Sequence, residues 1–332
     1  MLKLSGQLEL LGLEEARRRA TAEGSTPAER KRLLKRIDVA HELMSELPAA
    51  EDLSFLHSGL CQTCLPHSRP AENHAIWRRR SGRFSLLVQP GAVDSSEGDP
   101  QYVGVPYGPK ARLILIHLQT EGIKSRTVSL GKSLSAFLRS LGLPVSGGPR
   151  GSIGAIREQS LRIARCSFTM QWTDTDAAGA ERTVISDTRL VEGLELWRAS
   201  NGGEWSATVE LSERFHDHLR QHAVPLDKRS IAHLSGNSLG LDLYTLFAYR
   251  LPRLQRDVHL RWNALQSQIG SNETLAFNLA QRIREVMPEV LSAYPHANVE
   301  ITPHGLLLKP SKSAVPRSIV NGFRLVDGQP TA

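Results

Sequence analysis

Apolar positions recur at helical spacing in two long stretches, Lys110 to Val209 and Ser238 to Leu308, and each stretch closes on short alternating runs. In the first, Lys110–Glu121 reads as a helix, Thr127–Leu130 as a brief strand and Ser133–Leu141 as a second helix stopped by Gly142. A glycine-rich turn, Gly147 to Gly151, precedes a third helix over Arg150–Arg165. Strand-like runs follow at Phe168–Thr173, Thr183–Trp197 and Trp205–Leu211. The second stretch repeats the order more compactly. Helices are predicted over Leu239–Arg250, Asp257–Gly270 and from Ser271 to about Val290. A minimal ribbon of Asn298–Ile301 and Gly305–Leu308 flanks the turn Thr302-Pro303-His304.

Upstream, Thr26-Pro27-Ala28-Glu29 is a helix start: Thr caps, Pro takes the first helical position and Glu29 completes a capping box. That helix is expected to run to about Glu46, before Pro48. Residues 49–75 are turn-rich, and Phe84–Val88 reads as a strand. The predicted class is α+β, mainly helical, with two winged-helix domains and an N-terminal accessory segment. The expected boundaries are 1–104, 105–229, 230–315 and a tail at 316–332. Helix, strand, helix, helix and ribbon is the winged-helix order, although generic α+β packing uses the same elements.

Composition narrows the function. The chain has 332 residues and a net charge of +7, with arginine supplying most of the basic side. The guanidinium fork suits phosphates and guanine edges, which favours nucleic-acid binding over a soluble enzyme, with a bland basic protein as the plain alternative. Three cysteines, Cys61, Cys64 and Cys166, argue against a disulfide-built fold. No window approaches a membrane span and the N-terminus lacks a signal-peptide core, so a soluble cytoplasmic protein is expected.

Candidate DNA contacts follow from the helix faces. In the third helix of the first stretch, Ile153, Ile156, Ser160 and Ile163 share the core side. Arg162 and Arg165 are expected to face a groove, with Arg150 and Arg157 on the phosphate backbone. A solvated arginine face is the plain alternative. In the second stretch, Leu275, Leu279, Ile283 and Val286 form the buried stripe, leaving Gln281, Arg282 and Arg284 outside it. Gln suits adenine and Arg suits guanine. Arg253, Arg256 and Arg261 form a basic approach suited to phosphates, and Lys110 with Arg112 at a helix start is a weaker pair. Trp262 is expected to pack rather than stack on bases.

His57, Cys61, Cys64 and His67 are plausible zinc ligands with a knuckle-like Cys-x2-Cys spacing, but the histidine spacings are not those of a standard finger and a buried turn explains them better. No metal or cofactor is expected. The chain has no phosphate-binding Walker motif, and Asp174, Asp176, Glu181 and Asp187 have no distinctive ligand spacing. The expectation is a protein that is not an enzyme.

Three segments, Tyr107-Gly108-Pro109-Lys110-Ala111-Arg112-Leu113-Ile114-Leu115, Leu130-Gly131-Lys132-Ser133-Leu134-Ser135-Ala136-Phe137-Leu138 and Gly151-Ser152-Ile153-Gly154-Ala155-Ile156-Arg157-Glu158-Gln159, resemble the bacterial plasmid-encoded RepA replication initiators. The runs Val299–Leu308 and Leu60–His67 extend the likeness. The resemblance implies two winged-helix domains that bind iteron repeats at an origin without covalent chemistry. It also implies promotion of duplex opening, recruitment of the host helicase and initiator machinery, and exchange between monomers and dimers. Under it, the DNA contacts fall on the Arg150–Arg165 and Thr274–Met287 helices. A two-domain transcriptional regulator and a noncatalytic protein-interaction scaffold are the competing readings.

Overall fold

The computed structural model describes residues 4–94, 98–131, 133–148, 151–175, 181–194, 208–270 and 275–320. Eleven helices lie among them. The first six are α1 (Leu4–Glu23), α2 (Pro27–Ser45), α3 (Ser58–Gln62), α4 (Gly108–Gly122), α5 (Leu134–Ser140) and α6 (Ser152–Arg165). After them come α7 (Glu213–His222), α8 (Lys228–Leu234), α9 (Ser238–Arg250), α10 (Trp262–Ile269) and α11 (Ala276–Ala293). The strands begin with β1 (Leu53–His57), β2 (Trp77–Ser81), β3 (Phe84–Gln89), β4 (Ala92–Val93), β5 (Gln101–Tyr102), β6 (Thr127–Ser129) and β7 (Ser167–Thr175). They continue with β8 (Glu181–Arg189), β9 (Val191–Leu194), β10 (Thr208–Leu211), β11 (Ala223–Asp227), β12 (Val258–Arg261), β13 (Val299–Thr302) and β14 (Gly305–Leu308). The class is mixed α and β.

The chain forms two compact units that are each discontinuous. A terminal unit takes residues 1–54, 225–265 and 274–332; a central unit takes 55–224 and 266–273. These differ from the boundaries expected at 104/105 and 229/230. The N-terminal segment does not stand apart: α2 packs on α11 and α8 within the terminal unit. Residues 55–104 instead join the central unit.

In the terminal unit, Thr26 accepts the Glu29 amide at 3.1 Å, and the Glu29 carboxylate accepts the Ser25 amide at 3.0 Å. The capping signal therefore acts as expected, displaced by one residue on its carboxylate side. Leu8, Ala16, Ala20, Ile37 and Ala40 bury the seam between α1 and α2. Helix α9 is buried on all sides and encloses Leu241, Leu243, Tyr244, Leu246 and Phe247. On α11 the buried stripe is Leu279, Ile283, Val286 and Val290, whereas Leu275, expected on that stripe, sits at the N-cap and is 72% exposed. Strand β12, within the span expected to be a helix from Asp257, pairs with β14, and β14 pairs with β13. Gly305 has φ +155°, and a Cβ there would strike the Leu260 carbonyl of the neighbouring strand. Only glycine permits that approach.

The central unit holds α4, β6, α5 and α6 in the expected order. Phe137, Leu138, Ile156 and Ile163 are fully buried there. Strand β10 pairs with β6 and β9. The run after α6 was expected to form a β-ribbon, and β7 does pair with β8, but the pair is not confined to a two-stranded ribbon. Instead β7 and β8 complete a four-stranded antiparallel sheet ordered β2-β3-β7-β8. Its pleat is visible in the burial: Trp77 pairs with Val88 and Val88 with Phe168, all buried, while Arg79, Leu86 and Met170 form the next buried row.

Candidate nucleic-acid interface

Helix α6 begins where Ser146 and Ser152 exchange hydrogen bonds, each amide donating to the other's hydroxyl at 3.0 Å. Gly148 takes φ +85°, and a Cβ on Gly151 would press on the Ser146 carbonyl, so this turn depends on its glycines. The helix then exposes Arg157 and Arg165. Among the described residues neither has an ion-pair or hydrogen-bond partner for its guanidinium. Arg150 lies outside the described residues.

Arg162 was expected on that outer face, and its placement is different. It is buried, with 2% exposure, and donates from Nη1 to the Val105 carbonyl at 3.0 Å. Its Nε and Nη2 donate to Glu158 Oε1 at 3.1 and 2.9 Å, and its guanidinium lies 5.1 Å from the Tyr107 ring centre. Gly104, with φ +81°, leaves room for it: a Cβ there would collide with Arg162 Nη1. Gln159 accepts the Tyr107 amide at 2.8 Å. The second side of α6 is thus covered by residues 104–107, and Arg162 holds that cover in place. Arg112 is likewise a correction. It is buried and donates to the carbonyls of Pro66 (3.1 Å), Gly108 (2.9 Å) and Leu65 (2.7 Å), fastening the 65–66 turn to α4. Lys110, two residues earlier, is half-buried.

On α11 the outward face matches the expectation better. Gln281 and Arg284 are exposed and Arg282 is half-buried. Gln281 donates to Glu285 at 3.1 Å, and the Arg284 guanidinium sits 5.4 Å from the Trp262 ring centre. Trp262 is half-buried and donates its indole N–H to the Pro303 carbonyl at 2.9 Å. It therefore braces the β13–β14 turn as well as packing. Arg253, Arg256 and Arg261 are all exposed. Arg253 lies over the Tyr249 ring at 4.5 Å, and none of the three has an acidic partner among the described residues. One residue on this face was not anticipated. Phe277 is 73% exposed, one turn before Gln281 and two before Arg284.

Of the four candidate zinc ligands, Cys64 and His67 bring their ligand atoms within 4.8 Å of each other, whereas His57 and Cys61 bond elsewhere. Gly59 donates its amide to His57 Nδ1 at 3.1 Å, so neutral His57 carries its proton on Nε2 and donates to His218 Nδ1 at 2.7 Å. Burial and then the neighbouring His218 and His222 push His57 down to about 3. Burial and His222 push His218 down to about 4. The Cys61 thiol reaches the Leu56 carbonyl, and that of Cys64 the Gly270 carbonyl. Burial raises the Cys166 thiol to about 12, so it stays protonated and unreactive.

What the geometry defines is a pair of helix faces, one in each unit, that carry arginines outward on a mixed α/β scaffold. Residues 105–264 match the model of the plasmid-encoded RepA protein family. The chain is also similar to solved structures of domains 2 and 3 of RctB. One shares 13% identity at a TM-score of 0.45, covering 69% of this chain and 83% of that one. Another shares 13% identity at 0.44, covering 75% and 94%. Likeness at that level decides neither the details of the fold nor the function. Among curated proteins, none matches. No helix among the described residues is long and apolar enough to cross a membrane.

Proposed function

We propose that this protein is a plasmid replication initiator that binds duplex DNA at repeated origin sites, without covalent chemistry or enzymatic turnover. The observation that carries this reading is the family match over residues 105–264. The element order α9, β12, α10, α11, β13, β14 supports treating α11 as the groove-reading helix of a winged-helix domain, with β13–β14 as its wing. The order α4, β6, α5, α6 supports the same role for α6. Gln281 and Arg284 supply base-edge hydrogen bonds, and Phe277 supplies an apolar contact to a thymine methyl. Arg157, Arg165, Arg253, Arg256 and Arg261 hold phosphates, with Lys110 and Arg282 at the margins. Binding to repeats would promote opening of adjacent duplex and recruit the host helicase and initiator machinery, with exchange between dimers and monomers. The site of action would be plasmid DNA in the cytoplasm.

The test is nuclease footprinting of the full chain on the origin of the plasmid that encodes it. Protection of evenly spaced repeats is expected. Arg284→Ala should cost about 1–3 kcal/mol of binding and relax discrimination at one base position. Absence of any protected repeat would remove the initiator reading.

A further inference from the structure

The outer face of the sheet β2-β3-β7-β8 belongs to neither helix face, and its first strand is the run Trp77-Arg78-Arg79-Arg80-Ser81. The pleat divides those arginines. Trp77, Arg79 and Ser81 are buried, and Arg79 lies 3.6 Å from the Trp77 ring centre. Arg78 and Arg80 are exposed. The turn Gly82-Arg83 that follows adds an exposed Arg83, with Gly82 at φ +58° as a tight hairpin requires. Among the described residues, Arg78, Arg80 and Arg83 have no acidic partner.

Their neighbours across the sheet are polar. Arg80 is opposite Ser85, which is opposite Gln171; Arg78 is opposite Leu87, which is opposite Thr169. Ser85, Gln171 and Thr169 are half-exposed. Arg78 and Arg80 stand about 6.8 Å apart along the strand, with hydroxyl and amide groups beside them. This is the residue mixture that holds a polyanionic backbone.

We propose that this face is an additional DNA contact surface, one that grips the phosphate backbone of duplex DNA and reads no bases. It rests on the DNA-binding reading above. A charged edge strand also discourages sheets from pairing edge to edge, and the two roles separate experimentally. Glutamate guards an edge as well as arginine does, but it repels phosphate.

The experiment uses the full chain carrying R78E/R80E, with R18E/R19E as a charge-matched control in α1. Two labelled duplexes of about 30 base pairs serve as probes, one of random sequence and one from the encoding plasmid's origin. If the face holds phosphates, R78E/R80E stays monodisperse, loses at least about tenfold in affinity for both duplexes and lowers the slope of log affinity against log salt by about two. The ratio of affinities for the two duplexes stays unchanged. R78Q/R80Q should show the same fall in slope, so the result does not depend on one variant folding. Unchanged slope and affinity in a monodisperse variant would overturn the proposal, leaving an edge guard or a site for an acidic protein. A fall equal to that of R18E/R19E would overturn it too. Failure of the unmodified chain to bind either duplex would defeat the DNA-binding reading itself.

Discussion

Arg157 and Arg162 sit five residues apart on one helix and have opposite roles. Arg157 is exposed and unpaired among the described residues, whereas Arg162 is inside, bonded to Val105 and Glu158. Replacing Arg162 by Ala strands the Val105 carbonyl and empties the space beside Gly104, so unfolding stability should fall by about 2–3 kcal/mol. Arg157→Ala should stay within about 0.5 kcal/mol of the parent in stability and weaken DNA binding alone. Urea unfolding combined with fluorescence anisotropy on labelled duplex separates the two; equal stability losses would contradict this assignment. Helical periodicity located the apolar side of α6 correctly, with Ile156 and Ile163 at its centre. It could not locate Arg162, because a second, polar side of the helix is covered by a loop more than fifty residues earlier. Nothing in the local pattern records that loop.

At the scale of elements, Glu289 on α11 is where the N-terminal segment is fastened. Arg32 and Arg36 of α2 place Nε at 3.1 and 2.9 Å from its Oε1, and His233 of α8 places Nε2 at 3.1 Å from its Oε2. Arg36 is a close ion-pair contact rather than a well-aligned hydrogen bond. Burial alone would raise the Glu289 carboxyl, but the His233 hydrogen bond and the Arg36 charge outweigh it and hold the carboxyl below its usual range. Glu289→Ala leaves Arg36 buried without its counter-charge. The expected loss is about 2–4 kcal/mol, somewhat under that of a fully enclosed pair, measured as a shift in the urea midpoint at constant slope. A shift below half a kilocalorie would show that α2 is held by its apolar side alone. Capping chemistry made α2 legible from Thr26 and Glu29. Strand β12 was not legible, because Val258 falls in helical register with Trp262, Leu265 and Ile269, which outweighs the alternation of Val258 and Leu260 over only four residues. Pairing with β14 decided it.

For the molecule as a whole, acid should destabilise the central unit through its buried histidines. His57 and His218 both belong to the central unit and are held neutral, at about 3 and about 4. In the unfolded chain each titrates near 6.5. Between those values the unfolded state binds more protons, so stability is full above pH 6.5 and is lost as pH falls towards 4. Unfolding at pH 7.5 and pH 5.0 should show the fall. His218→Asn keeps an acceptor for His57 Nε2 but removes one titrating group, so it should flatten the dependence. An unchanged pH slope in that variant would refute the assignment. Hydrogen exchange across Glu213–His222 places the effect in the central unit.

The sequence by itself determined the elements whose signals are local: the cap of α2, the apolar stripes of α6 and α11, the β13–β14 hairpin and the outward placement of Arg284. Its basic charge and the segments from Tyr107 to Gln159 also pointed to the family that residues 105–264 match. Tertiary structure alone decided what depends on contacts distant in sequence. It placed Arg112 and Arg162 inside, drew β7 and β8 into a sheet with β2 and β3, and joined residues 1–54 to the C-terminal block. The physical reason is that periodicity reports which side of an element avoids water, whereas the burial of a charged side chain depends on which distant backbone carbonyls come within reach.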